Sequence, residues 1–178
     1  MNVVHVFPYS ASVSGGHSNA IRAFITSQRQ AGINAVGLSP KPDAPGATTP
    51  FDFPLVEVDS LWELRWETIA TRFGIEANQT ILNFHSVNRR FAPLFRDLQR
   101  AGVPYVLTSH GQLGVQTLSR WLQKFTYLNL VNRGLYKAAG LQFLTTHAAS
   151  QLKYLLPGFQ GASLVCCSRR ARSSCHAP

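Results

Sequence analysis

Short apolar runs without charged residues recur along the chain, and each is typical of a buried β-strand. The run at 103–107 is rich in β-forming residues, and its proline lies near the start, where a strand tolerates one. A polar tip at 108–111 follows it directly. The predicted strands are 2–7, 33–38, 80–84, 103–107, 141–145 and the short segment 55–58, which contains the charged residue Glu57, while 162–165 is either one more strand or a hinge.

Helices are predicted between these strands from apolar residues at helical spacing. In the first helix the apolar residues form one stripe, while Gln28 and its polar neighbours are predicted to face solvent. A second helix is predicted at 60–73, with Ser60 as its cap and Glu63 at the capping-box position, which places Trp62 and Trp66 on one face. Further helices are predicted at 91–101, 118–136 and 148–156.

Strands that alternate with helices predict an α/β fold, in which a Rossmann-like parallel sheet has helices on both faces. The chain has 178 residues, enough for one domain with a substantial core. We expect residues 1–165 to form that domain, because the strand and helix patterns stop at its end.

The charge distribution divides the chain into two halves. The net charge is +9, and all eight acidic residues lie at or before Asp97. From Leu98 onwards there are nine lysines and arginines and no acidic residue. A positive potential on that half favours phosphates or an anionic membrane surface as partners, with a merely solvated basic face as the alternative. Nucleic acid is not expected as a partner, since no recognised nucleic-acid-binding module is present.

The last thirteen residues, 166–178, have a different composition from the rest. They hold all three cysteines and three arginines, and they show no hydrophobic periodicity. We interpret this segment as a basic tail that is either disordered or translated out of frame. Its cysteines do not have the spacing of a metal site, and no metal is expected elsewhere. Without a signal peptide or an apolar run of about 20 residues, a cytoplasmic location is expected.

Histidines follow two of the predicted strands. His85 comes directly after the strand at 80–84, and His110, preceded by Ser109, comes after the strand at 103–107. Carboxyl ends of parallel strands meet at the edge where α/β sheets bind ligands, so both histidines are candidates for one crevice. A histidine there binds sugar hydroxyls or exchanges protons near neutral pH. The alternative for His110 is a structural bond to a nearby carbonyl. His147, after a later strand, is expected to face solvent or cap a helix.

A small-residue loop, 14–17 (SGGH), joins the first strand to the first helix. Gly15 and Gly16 let the backbone approach a ligand, and a helix N-terminus offers N–H groups to an anion. Contact with a phosphate or sugar is therefore predicted, and a tight turn without a ligand is the alternative. A nicotinamide dinucleotide is not expected, because the glycine fingerprint and the acidic residue for its ribose are absent.

Four short motifs, taken in order, resemble those of one enzyme family. They are 14–16 (SGG), 81–86 (ILNFHS), 101–111 (AGVPYVLTSHG) and 143–146 (FLTT). With them, residues 1–165 resemble the N-terminal, acceptor-side domain of retaining glycosyltransferases of the two-Rossmann-domain type. This architecture is called GT-B, and the family is glycosyltransferase family 4 or group 1. The resemblance implies one half of a GT-B enzyme, which transfers a sugar from a nucleotide-sugar donor to a glycan or lipid-linked acceptor.

The resemblance also implies roles for individual residues. Gly15 and Gly16 would lie beside the donor phosphates and the acceptor, and His85 would line the acceptor side. His110 would be the catalytic residue that bonds a hydroxyl of the transferred sugar, with Ser109 and Gly111 beside it in the substrate site. No cofactor is implied, since the nucleotide-sugar is a co-substrate, and no metal is implied.

The length of the chain departs from the family pattern. Family members continue with a second Rossmann domain that binds most of the nucleotide, and nothing like it follows residue 165 here. We therefore expect a truncated transferase that is inactive alone, in the cytoplasm or in peripheral contact with the inner face of the membrane. The alternative function is a non-catalytic α/β module that binds a phosphate- or glycan-containing ligand.

Overall fold

Seven parallel strands form one sheet in the part of the chain that the structure describes. The computed structural model describes residues 1–10, 16–42, 51–86, 88–110, 134–150, 156 and 158–165. The strands are β1 (Asn2–Val6), β2 (Asn34–Pro40), β3 (Leu55–Val58), β4 (Thr80–Phe84), β5 (Tyr105–Ser109), β6 (Gly140–Phe143) and β7 (Ala162–Val165). The described α-helices are α1 (Gly16–Gln30), α2 (Trp66–Phe73), α3 (Ala92–Ala101) and α4 (Thr146–Ser150). Short 3₁₀ turns occupy Ala77–Gln79 and Arg89–Phe91.

The strand order is β3-β2-β1-β4-β5-β6-β7. The first three strands extend the sheet in one direction from β1, and the chain then returns to place β4 on the other side of β1. The order therefore reverses between β1 and β4. In parallel sheets the loops diverge at such a point and leave a crevice outside the carboxyl ends of the two strands.

Each face of the sheet has its own hydrophobic core, which follows from the alternation of side chains along a strand. On one face, α1 packs Ile21 and Ile25 against Val3 of β1, Ala35 of β2 and Phe7, which directly follows β1. On the other face, α2 and α3 cover a larger core that runs from β3 to β6. The prediction of a Rossmann-like sheet with helices on both faces is confirmed.

The prediction that the second helix begins at Ser60 is wrong. The helix α2 begins at Trp66, and Ser60 instead accepts a hydrogen bond from the backbone N–H of Trp62, 3.3 Å away. The cap of α2 comes from a distant residue, because a carboxylate oxygen of Asp97 on α3 accepts the N–H of Trp66. Trp62 is consequently 44% exposed while Trp66 is buried, so the two tryptophans do not share a packed face.

Other predicted boundaries lie closer to the structure. The strands β3 and β4 have the predicted bounds, and α3 begins one residue after the predicted start. Most of the helix predicted at 118–136 and all of the tail 166–178 lie outside the described residues. Within the described ranges, no helix is long and apolar enough to span a bilayer.

Gly37, in the middle of β2, leaves no room for a side chain. A Cβ atom placed there would lie 2.7 Å from Leu55 Cδ1 and 2.9 Å from Phe53 Cε2. We expect Gly37→Ala to lower the free energy of unfolding by about 1–3 kcal/mol, because both side chains must shift to admit the methyl group. Urea denaturation measures this, with Gly16→Ala as the matched control, since a Cβ at Gly16 meets nothing within 4 Å. Equal unfolding free energies for the two variants would contradict the expectation.

Candidate functional site

Four of the five histidines that the structure describes meet near the carboxyl ends of β1 and β4, where the strand order reverses. His5 lies within β1, His85 directly after β4 and His110 directly after β5, while His17 lies in the first turn of α1. The sheet register explains why they meet. Val6 is paired with Phe84, and the backbone N–H of His85 donates to the carbonyl of Val6 at 3.1 Å, so the two strands remain side by side up to His85. We refer to these residues as the histidine cluster.

Hydrogen bonds link three of the histidines in a row. His5 Nδ1 lies 2.7 Å from His85 Nε2, and His85 Nδ1 lies 3.2 Å from His110 Nε2. At the other end of the row, His5 Nε2 lies 2.8 Å from Gln28 Oε1 on α1. His17 is attached separately, because its Nε2–H donates to the backbone carbonyl of His85 at 2.8 Å.

Aromatic packing holds the rings in place. The His5 and His85 rings are stacked, with centroids 5.0 Å apart and an interplanar angle of 18°. The His17 and His110 rings are closer, at 4.0 Å between centroids. Phe24, on α1, contacts His85 with its ring centroid 6.1 Å away. These contacts add to the hydrogen bonds and restrict each imidazole to one orientation.

Burial keeps the histidine cluster uncharged at neutral pH. His5 and His85 are both 0% exposed. Loss of solvation lowers the pKa of His5 to about 4, although the Gln28 amide oxygen partly opposes the shift. The pKa of His85 lies well below its usual value, first because of burial and then because of the neighbouring histidines. Burial, with His17 alongside, lowers the pKa of His110 to about 4.

The chemistry available to His110 follows from that pKa. A base with a pKa of about 4 takes up a proton poorly at pH 7, so His110 is a weak general base. A neutral imidazole still provides one hydrogen-bond donor and one acceptor in a fixed geometry. His110 is therefore suited to orienting a polar ligand group. In the described ranges, no group of three or more His, Cys, Asp and Glu residues has the arrangement of a metal site.

A polar strip continues from the histidine cluster across the sheet. Thr108 Oγ1 lies 2.8 Å from Asn83 Oδ1 on β4 and 2.9 Å from Gln142 Oε1 on β6. The alternation along β4 and β5 places Asn83, His85 and Thr108 on the same face as His5. The carboxyl ends of three adjacent strands thus carry hydrogen-bonding side chains on one face.

The structure brings together some of the predicted site residues. His85 and His110 lie side by side, with His85 Nδ1 3.2 Å from His110 Nε2. Gly16 is the exposed first residue of α1. Ser109 is buried at the end of β5, and the alternation of the strand directs it to the face opposite Thr108. Gly15 and Gly111 lie outside the described residues.

Two members of the site were not recognised in the sequence. The sequence pattern places His5 inside an apolar strand and predicts that Gln28 faces solvent. That prediction for Gln28 is wrong, because its side chain is half-buried and bonds His5 across 23 positions of sequence. The one available signal was the histidine within an apolar run: a buried imidazole needs a polar partner, and the helix that follows is the nearest source of one.

The seven-stranded parallel sheet with helices on both faces is a Rossmann-like fold of the kind found in GT-B glycosyltransferases. Among solved structures, a sucrose-phosphate synthase from Thermosynechococcus elongatus matches it with a TM-score of 0.62 at 12% sequence identity. The match covers 93% of this chain and 47% of the synthase, so the chain spans about half the length of that protein. No protein-family model matches the sequence, and no curated protein matches it significantly.

Proposed function

We propose that the chain is the acceptor-side domain of a retaining glycosyltransferase of the family 4 type, which transfers a sugar from a nucleotide-sugar to an acceptor. The observation that supports this most strongly is the position of His110. It lies at the end of β5 beside the crevice between β1 and β4, in a fold that matches half of a sucrose-phosphate synthase. Ligands of open α/β sheets bind at that place.

His110 is proposed to orient a sugar hydroxyl. Its pKa of about 4 keeps it neutral, so it contributes a hydrogen bond without attracting a proton from the acceptor. Stabilisation of the departing nucleotide is assigned to backbone N–H groups at the start of α1, near Gly16, and to basic residues of the acid-free second half. Neither contribution requires a metal or a resident cofactor.

Binding to the purified 178-residue chain tests the proposal. Calorimetric titration with UDP-glucose, GDP-mannose and a sugar monophosphate is expected to detect at least one sugar ligand, with inorganic phosphate as the comparison. His110→Ala should weaken binding of that ligand about tenfold, the value of one well-formed hydrogen bond. His147→Ala is the matched control, because His147 is exposed on α4 and outside the histidine cluster.

The outcomes of this titration separate the proposed function from its alternatives. If no sugar ligand binds, or if both histidine variants bind equally well, the role of His110 is wrong. Binding of phosphate and sugar phosphates with the same affinity would favour the non-catalytic binding module. We also expect the chain to bind without transferring a sugar, and transfer detected with a labelled nucleotide-sugar would contradict the expectation that it is inactive alone.

A further inference from the structure

The row of hydrogen bonds from Gln28 to His110 uses every ring nitrogen of the two buried histidines. His5 is bonded through Nε2 to Gln28 Oε1 and through Nδ1 to His85 Nε2, at 2.8 and 2.7 Å. His85 is bonded through its other nitrogen to His110 Nε2 at 3.2 Å. Since His5 and His85 are 0% exposed, solvent does not replace any of these partners.

The number of ring protons determines which nitrogen donates and which accepts in each hydrogen bond of the row. A neutral imidazole carries one N–H and one lone pair, so each histidine in the row donates on one side and accepts on the other. Gln28 Oε1 accepts, which makes His5 Nε2 a donor and His5 Nδ1 an acceptor. His85 Nε2 then donates to His5, and His110 Nε2 donates to His85 Nδ1. The one remaining nitrogen of His110, Nδ1, is left with a lone pair.

We infer that Gln28, His5 and His85 are positioning residues that hold His110 as its Nε2–H tautomer, so that Nδ1 serves as a hydrogen-bond acceptor for the bound ligand. The inference rests on the proposed function for the sugar hydroxyl at His110, and it adds which nitrogen accepts that hydroxyl and which residues fix the tautomer. A lone pair accepts a hydrogen bond from a hydroxyl group, whereas a phosphate oxygen without a proton has nothing to donate. Nδ1 of His110 is therefore suited to a hydroxyl group and not to an unprotonated phosphate oxygen.

His17 supports this assignment through an independent contact. The Nε2–H of His17 donates to the backbone carbonyl of His85 at 2.8 Å, so Nδ1 of the neutral His17 ring also carries a lone pair. Burial lowers the pKa of His17, with the bond to the His85 carbonyl acting in the opposite direction. The His17 and His110 rings, 4.0 Å apart, thus present two neutral acceptors and no cation. Such a pair favours a polyhydroxyl ligand over an anion.

Nitrogen-15 NMR of the histidine rings tests the inference directly, because protonated and unprotonated ring nitrogens have well-separated chemical shifts. In the ligand-free 178-residue chain near pH 7.5, we expect His5, His85 and His110 all to be Nε2–H tautomers. Gln28→Met removes the acceptor at the end of the row and should produce a measurable Nδ1–H population at His110. The matched control is Gln30→Met, since Gln30 is exposed on the same helix.

Two outcomes would overturn the inference: His110 found as the Nδ1–H tautomer in the unmodified chain, or the same tautomer populations in both methionine variants. Binding provides a second measurement. Gln28→Met should weaken the sugar ligand about threefold to tenfold without changing affinity for inorganic phosphate, and an equal loss for both would contradict the assignment of a hydroxyl. The tautomers are measured without ligand, so failure of the proposed function and failure of the row of hydrogen bonds give different results.

Discussion

Replacement of Phe84 by alanine is expected to lower the free energy of unfolding by about 3–5 kcal/mol. Phe84 is the last residue of β4 and is 0% exposed. Its ring lies 4.9 Å from that of Phe91 and 4.7 Å from that of Phe95, and Tyr105 completes the aromatic group at 6.0 Å. Removing the ring opens a cavity beneath the strand that carries His85. A loss of this size approaches the total stability of many domains.

Urea denaturation measures the effect of Phe84→Ala, and Phe84→Leu provides a milder variant that keeps the protein folded. The leucine variant should lie between wild type and alanine, because it fills part of the cavity. Trp62→Ala is the control, since Trp62 is 44% exposed and its removal should cost at most about 0.5 kcal/mol. A loss for Phe84→Ala no greater than that of the control would show that the aromatic group does not support β4.

Acid is expected to destabilise the protein through the histidine cluster. The pKa of His5 falls from 6.5 to about 4 on folding, so the unfolded chain binds a proton that the folded chain rejects. The contribution of neutral His5 to the free energy of unfolding is fully present above pH 6.5 and is lost as the pH falls towards 4. Integrating this linkage gives a loss of about 3 kcal/mol for His5. His85 acts in the same direction, because burial lowers its pKa as well.

Unfolding free energies measured between pH 7.5 and pH 4 check this expectation. His5→Gln should flatten the profile, because one of the histidines whose pKa is lowered by burial is gone. His147→Gln should retain the wild-type profile, since His147 is exposed and lies outside the histidine cluster. All other acidic and basic groups are the same in wild type and in His5→Gln. A His5→Gln profile parallel to that of wild type would disprove the role of His5.

The fold could be predicted from the sequence to a greater extent than the site. Buried parallel strands are mostly apolar runs, and β4 has the predicted bounds because its run ends at the polar residues His85 and Ser86. The convergence of His85 and His110 also follows from the sequence, since both directly follow strands whose carboxyl ends share an edge. Local patterns were sufficient for both results.

The rest of the site depends on contacts between residues that are distant in the sequence. His5 and His85 are 80 positions apart, and no local pattern indicates that their nitrogens meet. Gln28 lies on the side of α1 that the sequence pattern predicts to be polar and exposed. It is half-buried, because His5 on the sheet lies opposite it. The start of α2 depends on a distant contact as well: the local pattern predicts a serine cap, whereas Asp97 of α3 provides the cap.

The cap from Asp97 also links the formation of two helices. With eight residues, α2 is too short to be stable as an isolated helix, and its first N–H groups would be unsatisfied without a partner. Since Asp97 and the α3 core residues provide both the cap and the packing surface, α2 is ordered only when α3 is docked on the sheet. The two helices thus constitute one cooperative unit of local unfolding, and hydrogen exchange in α2 accompanies every opening of α3.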